Sequence, residues 1–205
     1  PGETARYMSS KIGILGGTFD PVHVGHLILA EQARTQLGLE KVLFVPAAVP
    51  PHKMNQSITE AKLRKEMLDI AIGGNPFFLV STIEIDRSGV SYTIDTLEAL
   101  QGLYSNSELC LIVGADTISD VPNWRRPLDV VQAASFAVAG RPGFTPHPPT
   151  SLGSVRLAPI EMPLLEISSS LIRKNVTEGR SIRYLVPAGV EAFIAAKKLY
   201  QSKTD

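Results

Sequence analysis

Lys11-Ile12-Gly13-Ile14-Leu15-Gly16-Gly17-Thr18-Phe19-Asp20-Pro21-Val22-His23-Val24-Gly25-His26 is the stretch on which the fold turns. Its first five residues form a short apolar run that stops at a glycine pair, which reads as a buried strand entering a tight turn. Asp20 stands before a proline, where helical geometry is disfavoured. That suits an N-cap, with Pro21 at the first helical position. The helix would then open with free backbone N–H groups and the positive end of its dipole, an anion site. Gly16 and Gly17 would let the chain turn sharply and let a ligand approach backbone amides closely. His23 and His26, three residues apart, are expected on one helix face and lean towards its N-terminus. Gly25 between them leaves room for a ligand. Imidazole N–H groups suit a phosphoryl oxygen whose charge grows during reaction.

A helix-start histidine alone is often only a polar surface residue. Two at this spacing also begin many metal sites, but the nearest third ligand would be His52 in a loop, and no protein-held metal is expected. The segment is neither a Walker A loop nor a Gly-x-Gly-x-x-Gly dinucleotide motif.

Outward from this stretch, strands and helices alternate. Apolar positions recur at helical spacing from Val24 to Leu37. Val42 to Val45, Phe77 to Val80, Leu109 to Val113, Ser135 to Ala139 and Val155 to Ile160 read as strands. Helices are expected over residues 60–72, with Leu63, Met67, Ile70 and Ala71 on the apolar face, and near 92–103, 128–134, 169–176 and 190–199. Residues 47–58 and 141–153 read as loops. The pattern predicts an α/β fold, a doubly wound and mostly parallel sheet covered on both faces. Ligands of such sheets bind at the carboxyl ends of the strands near the switch point. One domain over residues 11–200 is expected, with a flexible leader at 1–10 and a polar tail at 201–205.

The chain has 205 residues, of which 44% are hydrophobic, with 20 Lys and Arg balanced by 20 Asp and Glu. A net charge of zero argues against wholesale binding to nucleic acid or anionic membrane, while leaving room for a local basic pocket. The single cysteine, Cys110, lies in an apolar run and reads as a small buried hydrophobe. It cannot form an internal disulfide, which suits a reducing compartment. No run approaches the roughly 18 to 20 apolar residues of a membrane span. A cytoplasmic location is expected.

A second anion site is expected near the other end. Ile167-Ser168-Ser169-Ser170-Leu171-Ile172-Arg173 places three hydroxyls at a helix start and an arginine one turn inside it. Hydroxyls, free amides and a forked guanidinium favour phosphate, although serines before a helix are often mere caps.

The first segment resembles the His-x-x-His element of nucleotidyltransferases related to class I aminoacyl-tRNA synthetases. The wording GGTFDPVHVGH resembles that of the bacterial nicotinate-nucleotide adenylyltransferases, whereas phosphopantetheine adenylyltransferases usually carry Thr at the position of His23. The serine segment resembles the ISSTxIR element, with Ser170 in place of the frequent Thr. By this resemblance the fold is Rossmann-like. His23, His26 and Arg173 are the catalytic residues, and Gly16, Gly17, Thr18, Phe19, Gly25, Gly114, Asp116, Ile167, Ser168, Ser169 and Ser170 bind ATP.

The resemblance extends to the acceptor. Pro50-Pro51-His52-Lys53 resembles a PPHK loop whose Lys53 could meet a phosphate. Ser91 to Leu97 resembles SYTxxTL, where Thr93 would lie close to a pyridine carboxylate; the plainer reading is that Ser91 or Thr93 caps a helix. Trp124, the only tryptophan, could stack on the pyridine or cover the core edge. Arg125 and Arg141 are further candidates for acceptor contact. Asp116, after Gly114 at a strand end, could bind ribose hydroxyls or help hold Mg²⁺. The resemblance implies adenylyl transfer from ATP to nicotinate mononucleotide, with Mg²⁺ arriving on ATP. The same transfer to nicotinamide mononucleotide or phosphopantetheine, and a non-catalytic nucleotide sensor, are the alternatives. The oligomeric state stays open.

Overall fold

The computed structural model describes residues 10–50, 57–140, 143, 145–163 and 165–202. The expected leader, apart from Ser10, and the last three residues of the expected tail lie outside them, as do Lys53 and Arg141.

Six strands form one sheet. They are β1 (Ser10–Gly17), β2 (Lys41–Pro46), β3 (Phe78–Val80), β4 (Ser107–Gly114), β5 (Ser135–Gly140) and β6 (Leu157–Glu161). Their order is β3-β2-β1-β4-β5-β6, and every neighbouring pair is parallel. The chain therefore winds outward from β1 to β3, then crosses back to start again at β4. The switch point falls between β1 and β4, whose carboxyl ends are Gly17 and Gly114. This is the doubly wound parallel sheet expected.

The strands alternate between two faces, as the two-residue period of a strand requires, and both faces are apolar because helices cover both. Ile12, Ile14, Leu43, Val45, Leu111 and Phe136 pack on one side. They meet Ile94, Leu97 and Leu100 of α4 (Thr93–Leu103) and Val130 and Val131 of α6 (Pro127–Ala133). On the other side Leu15, Val42, Phe44, Cys110 and Ile112 meet α1 (Val24–Leu37) and α2 (Ala61–Ile72). The helices α7 (Ser169–Thr177) and α8 (Ala188–Ala196) complete that layer through Ile172, Val190 and Ile194.

The sequence expectations are corrected at several points. Gly16 and Gly17 do not turn; they continue β1, and Gly17 stands in register with Pro46 of β2. Asp20 is not an N-cap and Pro21 is not helical, because α1 starts at Val24 with His23 as its cap. The buried face of α2 is Arg64, Met67, Leu68 and Ile72, so the stripe is rotated and Ile70 is exposed. Two short helices, α3 (Ile83–Arg87) and α5 (Ala115–Asp120), were not anticipated. A 3₁₀ turn at Thr150–Leu152 interrupts the expected loop 141–153.

Candidate active site

Both expected anion elements lie at the carboxyl edge of the sheet, and they are fastened to each other. Ser169 Oγ donates to the Pro21 carbonyl at 2.8 Å, and Arg173 Nη1 donates to the Asp20 carbonyl at 2.7 Å. The segment between β1 and α1 is thus stapled to the first turn of α7, about 150 residues later in the chain. Ser168 has a structural task as N-cap of α7, accepting from the Leu171 N–H at 3.1 Å. Ser170 Oγ accepts from Arg173 Nη2 at 3.3 Å, which turns the guanidinium along the start of the helix.

The two histidines meet, though not as two residues of one helix. His23 is the extended cap residue and His26 sits three positions into the first turn, yet their rings stack with centroids 3.6 Å apart. The His23 N–H donates to His26 Nδ1 at 3.2 Å. That bond occupies the Nδ1 lone pair, so the neutral His26 ring carries its proton on Nε2. Burial pushes the His23 pKa down to about 4. Burial, helped by the neighbouring His23 charge, pushes His26 down to about 3. Both rings are therefore neutral donors at pH 7.

His23 Nδ1 is buried without a hydrogen-bond partner among the described residues. Such an orphan costs about 1–3 kcal/mol. A Cβ at Gly25 would come within 3.1 Å of the same nitrogen, so a larger residue there would press on the His23 ring. At Gly16 and Gly114, on the ends of the two switch-point strands, a Cβ would meet nothing within 4 Å. The sheet edge between them is open to a ligand's backbone-close approach. Phe19 packs against His26. Its ring is buried, edge-on to His26 at 5.0 Å, and forms the floor of the imidazole pair. Val24 N–H, the first of α1, donates to the Leu185 carbonyl rather than standing free.

Under this surface lies a network that the sequence reading missed. Asp20, buried, accepts from the Tyr200 hydroxyl at 2.6 Å and from the Thr59 N–H at 3.2 Å. Burial and the Asp20 carboxylate push the Tyr200 phenol far up, so it stays a donor. Arg64 is 1% exposed and donates to the Thr18, Ala47 and Thr59 carbonyls. Desolvation lowers its pKa, and the Asp20 charge opposes that. A signal for Arg64 existed, because a cation stood in line with Met67, Leu68 and Ile72 at helical spacing. For Tyr200 no local signal existed, since its partner is 180 residues away.

The acceptor candidates gather on the other flank. Thr93 is the first residue of α4, whose cap is Tyr92. Neither Ser91 nor Thr93 caps it; Ser91 Oγ instead accepts from the Ala48 N–H at 2.9 Å. The Arg125 guanidinium lies over the Tyr92 ring at 4.6 Å and 3.8 Å from Asp95, so it stands at the same helix start as Thr93. Trp124, half-buried, packs on the core edge and donates from Nε1 to Asp120 Oδ2 at 3.3 Å. Asp116 is exposed in the first turn of α5, directly after Gly114. Among the described residues no group of three His, Cys, Asp or Glu stands ready for a metal ion, and no helix is long and apolar enough to cross a membrane.

Comparisons with known proteins agree with this geometry. The family described as cytidylyltransferase-like matches residues 14–175. A protein of Geobacillus thermodenitrificans named probable nicotinate-nucleotide adenylyltransferase is 43% identical over 197 residues, covering 95% of this chain and 88% of that one. One of Thermomicrobium roseum with the same name is 43% identical, covering 94% and 92%. In fold, the chain is similar to a solved Plasmodium falciparum nicotinic acid mononucleotide adenylyltransferase complexed with NaAD. The TM-score is 0.77 at 23% identity, over 93% of this chain and 97% of that one.

Proposed function

We infer the reaction from one premise: the chain belongs to the cytidylyltransferase-like family and, within it, to the nicotinate-nucleotide adenylyltransferases. It is an enzyme that joins the AMP of ATP to nicotinate mononucleotide, giving nicotinate adenine dinucleotide and pyrophosphate in NAD biosynthesis. The observation that carries the reading is the staple between the two anion elements through the Asp20 and Pro21 carbonyls. One triphosphate spread across the sheet edge needs both ends of its chain held in a fixed relation.

An acceptor phosphate oxygen attacks the α-phosphorus of ATP in line. The new P–O bond forms as the bond to the β-phosphate oxygen breaks, and pyrophosphate leaves with that electron pair. The attacking oxygen is already anionic, so no strong base is needed, and catalysis is positioning and charge stabilisation. Neutral His23 and His26 donate to the α-phosphate. Ser169, Ser170, Arg173 and the free amides of α7, together with Ile167 and Ser168 before it, hold the β and γ groups. Gly16, Gly17, Thr18 and Gly114 let the nucleotide lie close to the backbone, and Asp116 takes ribose hydroxyls. Mg²⁺ comes with ATP. Thr93, Trp124 and Arg125 receive the pyridine carboxylate. Arg125, a cation beside Thr93, favours the acid over the amide. Lys53 is proposed for contact with a phosphate and Arg141 for contact with the acceptor. The cytoplasm suits a chain whose one cysteine is buried and unpaired.

Pyrophosphate release is measured with ATP and Mg²⁺, offering nicotinate mononucleotide and nicotinamide mononucleotide separately. Release that strongly prefers the acid is expected. Equal rates would remove the assignment of Arg125, and release with neither would refute the acceptor.

A further inference from the structure

Arg64 heads the fully buried side chains in size, and the reaction assigns it nothing. We propose that Arg64 is a positioning residue that couples the nucleotide-phosphate loop to the acceptor flank, by holding carbonyls from three separate segments on one guanidinium. The inference rests on the adenylyl-transfer reading above.

The geometry is a three-way junction. Arg64 Nη1 donates to Thr18 O at 2.8 Å, Nη2 to Ala47 O at 2.7 Å and Ala48 O at 3.4 Å, and Nε to Thr59 O at 2.8 Å. Thr18 belongs to the loop after β1, and Ala47 and Ala48 to the segment after β2. From Ala48 the connection continues. Its N–H donates to Ser91 Oγ at 2.9 Å, and the Ser91 N–H donates to Val49 O at 3.0 Å. Two residues beyond Ser91 is Thr93, the start of α4. A series of hydrogen bonds thus runs from the phosphate loop to Ser91, two residues before the acceptor helix. On its third arm, Thr59 also reaches Asp20 through its N–H.

A planar fork with five donors can satisfy carbonyls arriving from several directions, whereas an ammonium is a single point. An apolar side chain here would leave the Thr18, Ala47 and Thr59 carbonyls without this donor, so the fork also contributes to stability. Met67, Leu68 and Ile72 fill the rest of that helix face. What the fork adds is a fixed relation between two loops that carry the two reactants. In-line transfer is sensitive to it: a misplacement of about 1 Å costs on the order of 10²-fold in rate.

The test is hydrogen–deuterium exchange on the wild type and Arg64→Lys, with and without α,β-methylene ATP and with no acceptor present. In the wild type the analogue should slow exchange at Thr18–Phe19 and also at Ala47–Val49. In Arg64→Lys the first protection should remain and the second disappear. Ser91→Ala removes the acceptor of the Ala48 N–H but leaves the Arg64 fork and the Ser91 N–H bond to Val49 in place, so Ala48 should exchange faster with or without the analogue while kcat stays nearer wild type than in Arg64→Lys. On the same Arg64→Lys protein, at a temperature where circular dichroism shows it folded, kcat should fall about 10²-fold with the ATP KM within about threefold. Protection at Ala47–Val49 that is absent in the wild type, or equal in the wild type and Arg64→Lys, overturns the proposal. So does a kcat within a few-fold of wild type. If Arg64→Lys does not fold, Arg64→Gln takes its place in the same exchange and kinetic measurements, with the same outcomes supporting or overturning the proposal. Failure of the wild type to use nicotinate mononucleotide would sink the functional reading instead, since the exchange arm contains no acceptor.

Discussion

His26 shows how much one residue can be asked to do. Its Nδ1 accepts the His23 N–H, its ring stacks on His23 and rests on Phe19, and its Nε2–H is left for a ligand. His26→Ala removes a preorganised donor, and turnover should fall by roughly 10²-fold or more while far-UV circular dichroism stays unchanged. Steady-state pyrophosphate release checks this, and activity within a few-fold of wild type would remove the role. The histidine pair was legible in the sequence because residue type and spacing carry its chemistry. Arg64 was not, because the apolar stripe of its helix was set one residue out of phase. The fold buries this cation against backbone carbonyls.

Among the elements, strands were the easiest to read. A parallel sheet buried on both faces needs continuous apolar runs, and such runs are visible without any tertiary information. The short helices α3 and α5 escaped because five or six residues do not complete enough turns to show a period. Asp20-Pro21 misled the reading in another way. Its local chemistry fits a helix start, but the aspartate is claimed by Tyr200 and Thr59, and the helix begins three residues after Pro21. The docking of α7 makes a prediction for an element. Ser169→Ala loses the bond to the Pro21 carbonyl, which should lower stability to urea by about 1 kcal/mol. The ATP KM should rise with it, as the phosphate sites drift apart. An unchanged KM would show that Arg173 holds the two segments unaided.

For the whole molecule, the fold class followed from the alternation of elements, but the strand order did not, since nothing local says where β4 returns. The acid response of the molecule follows from the site. His23 and His26 bind protons with pKa values of about 4 and about 3 when folded, against 6.5 when unfolded. Between these limits the unfolded chain holds more protons, so stability rises with pH there. Acidification from about pH 6.5 towards 4 should therefore destabilise the protein. The same urea titration on a His23→Asn/His26→Asn double variant should give a shallower pH slope. Parallel slopes would mean that the imidazoles are not what the acid limb senses.

The Tyr200–Asp20 bond has a consequence for how the protein is made. Translation delivers β1 and the histidine loop first, and the sheet can add β2 and β3 at once beside it. The other half must wait for β4, and Arg173 and Tyr200 emerge only after every strand of the sheet. A nascent chain halted after β6 would hold a complete sheet and both imidazoles, yet lack the parts that grip the loop carrying them. The histidine loop would then wait, ungripped, until α7 and the segment up to Tyr200 had left the ribosome.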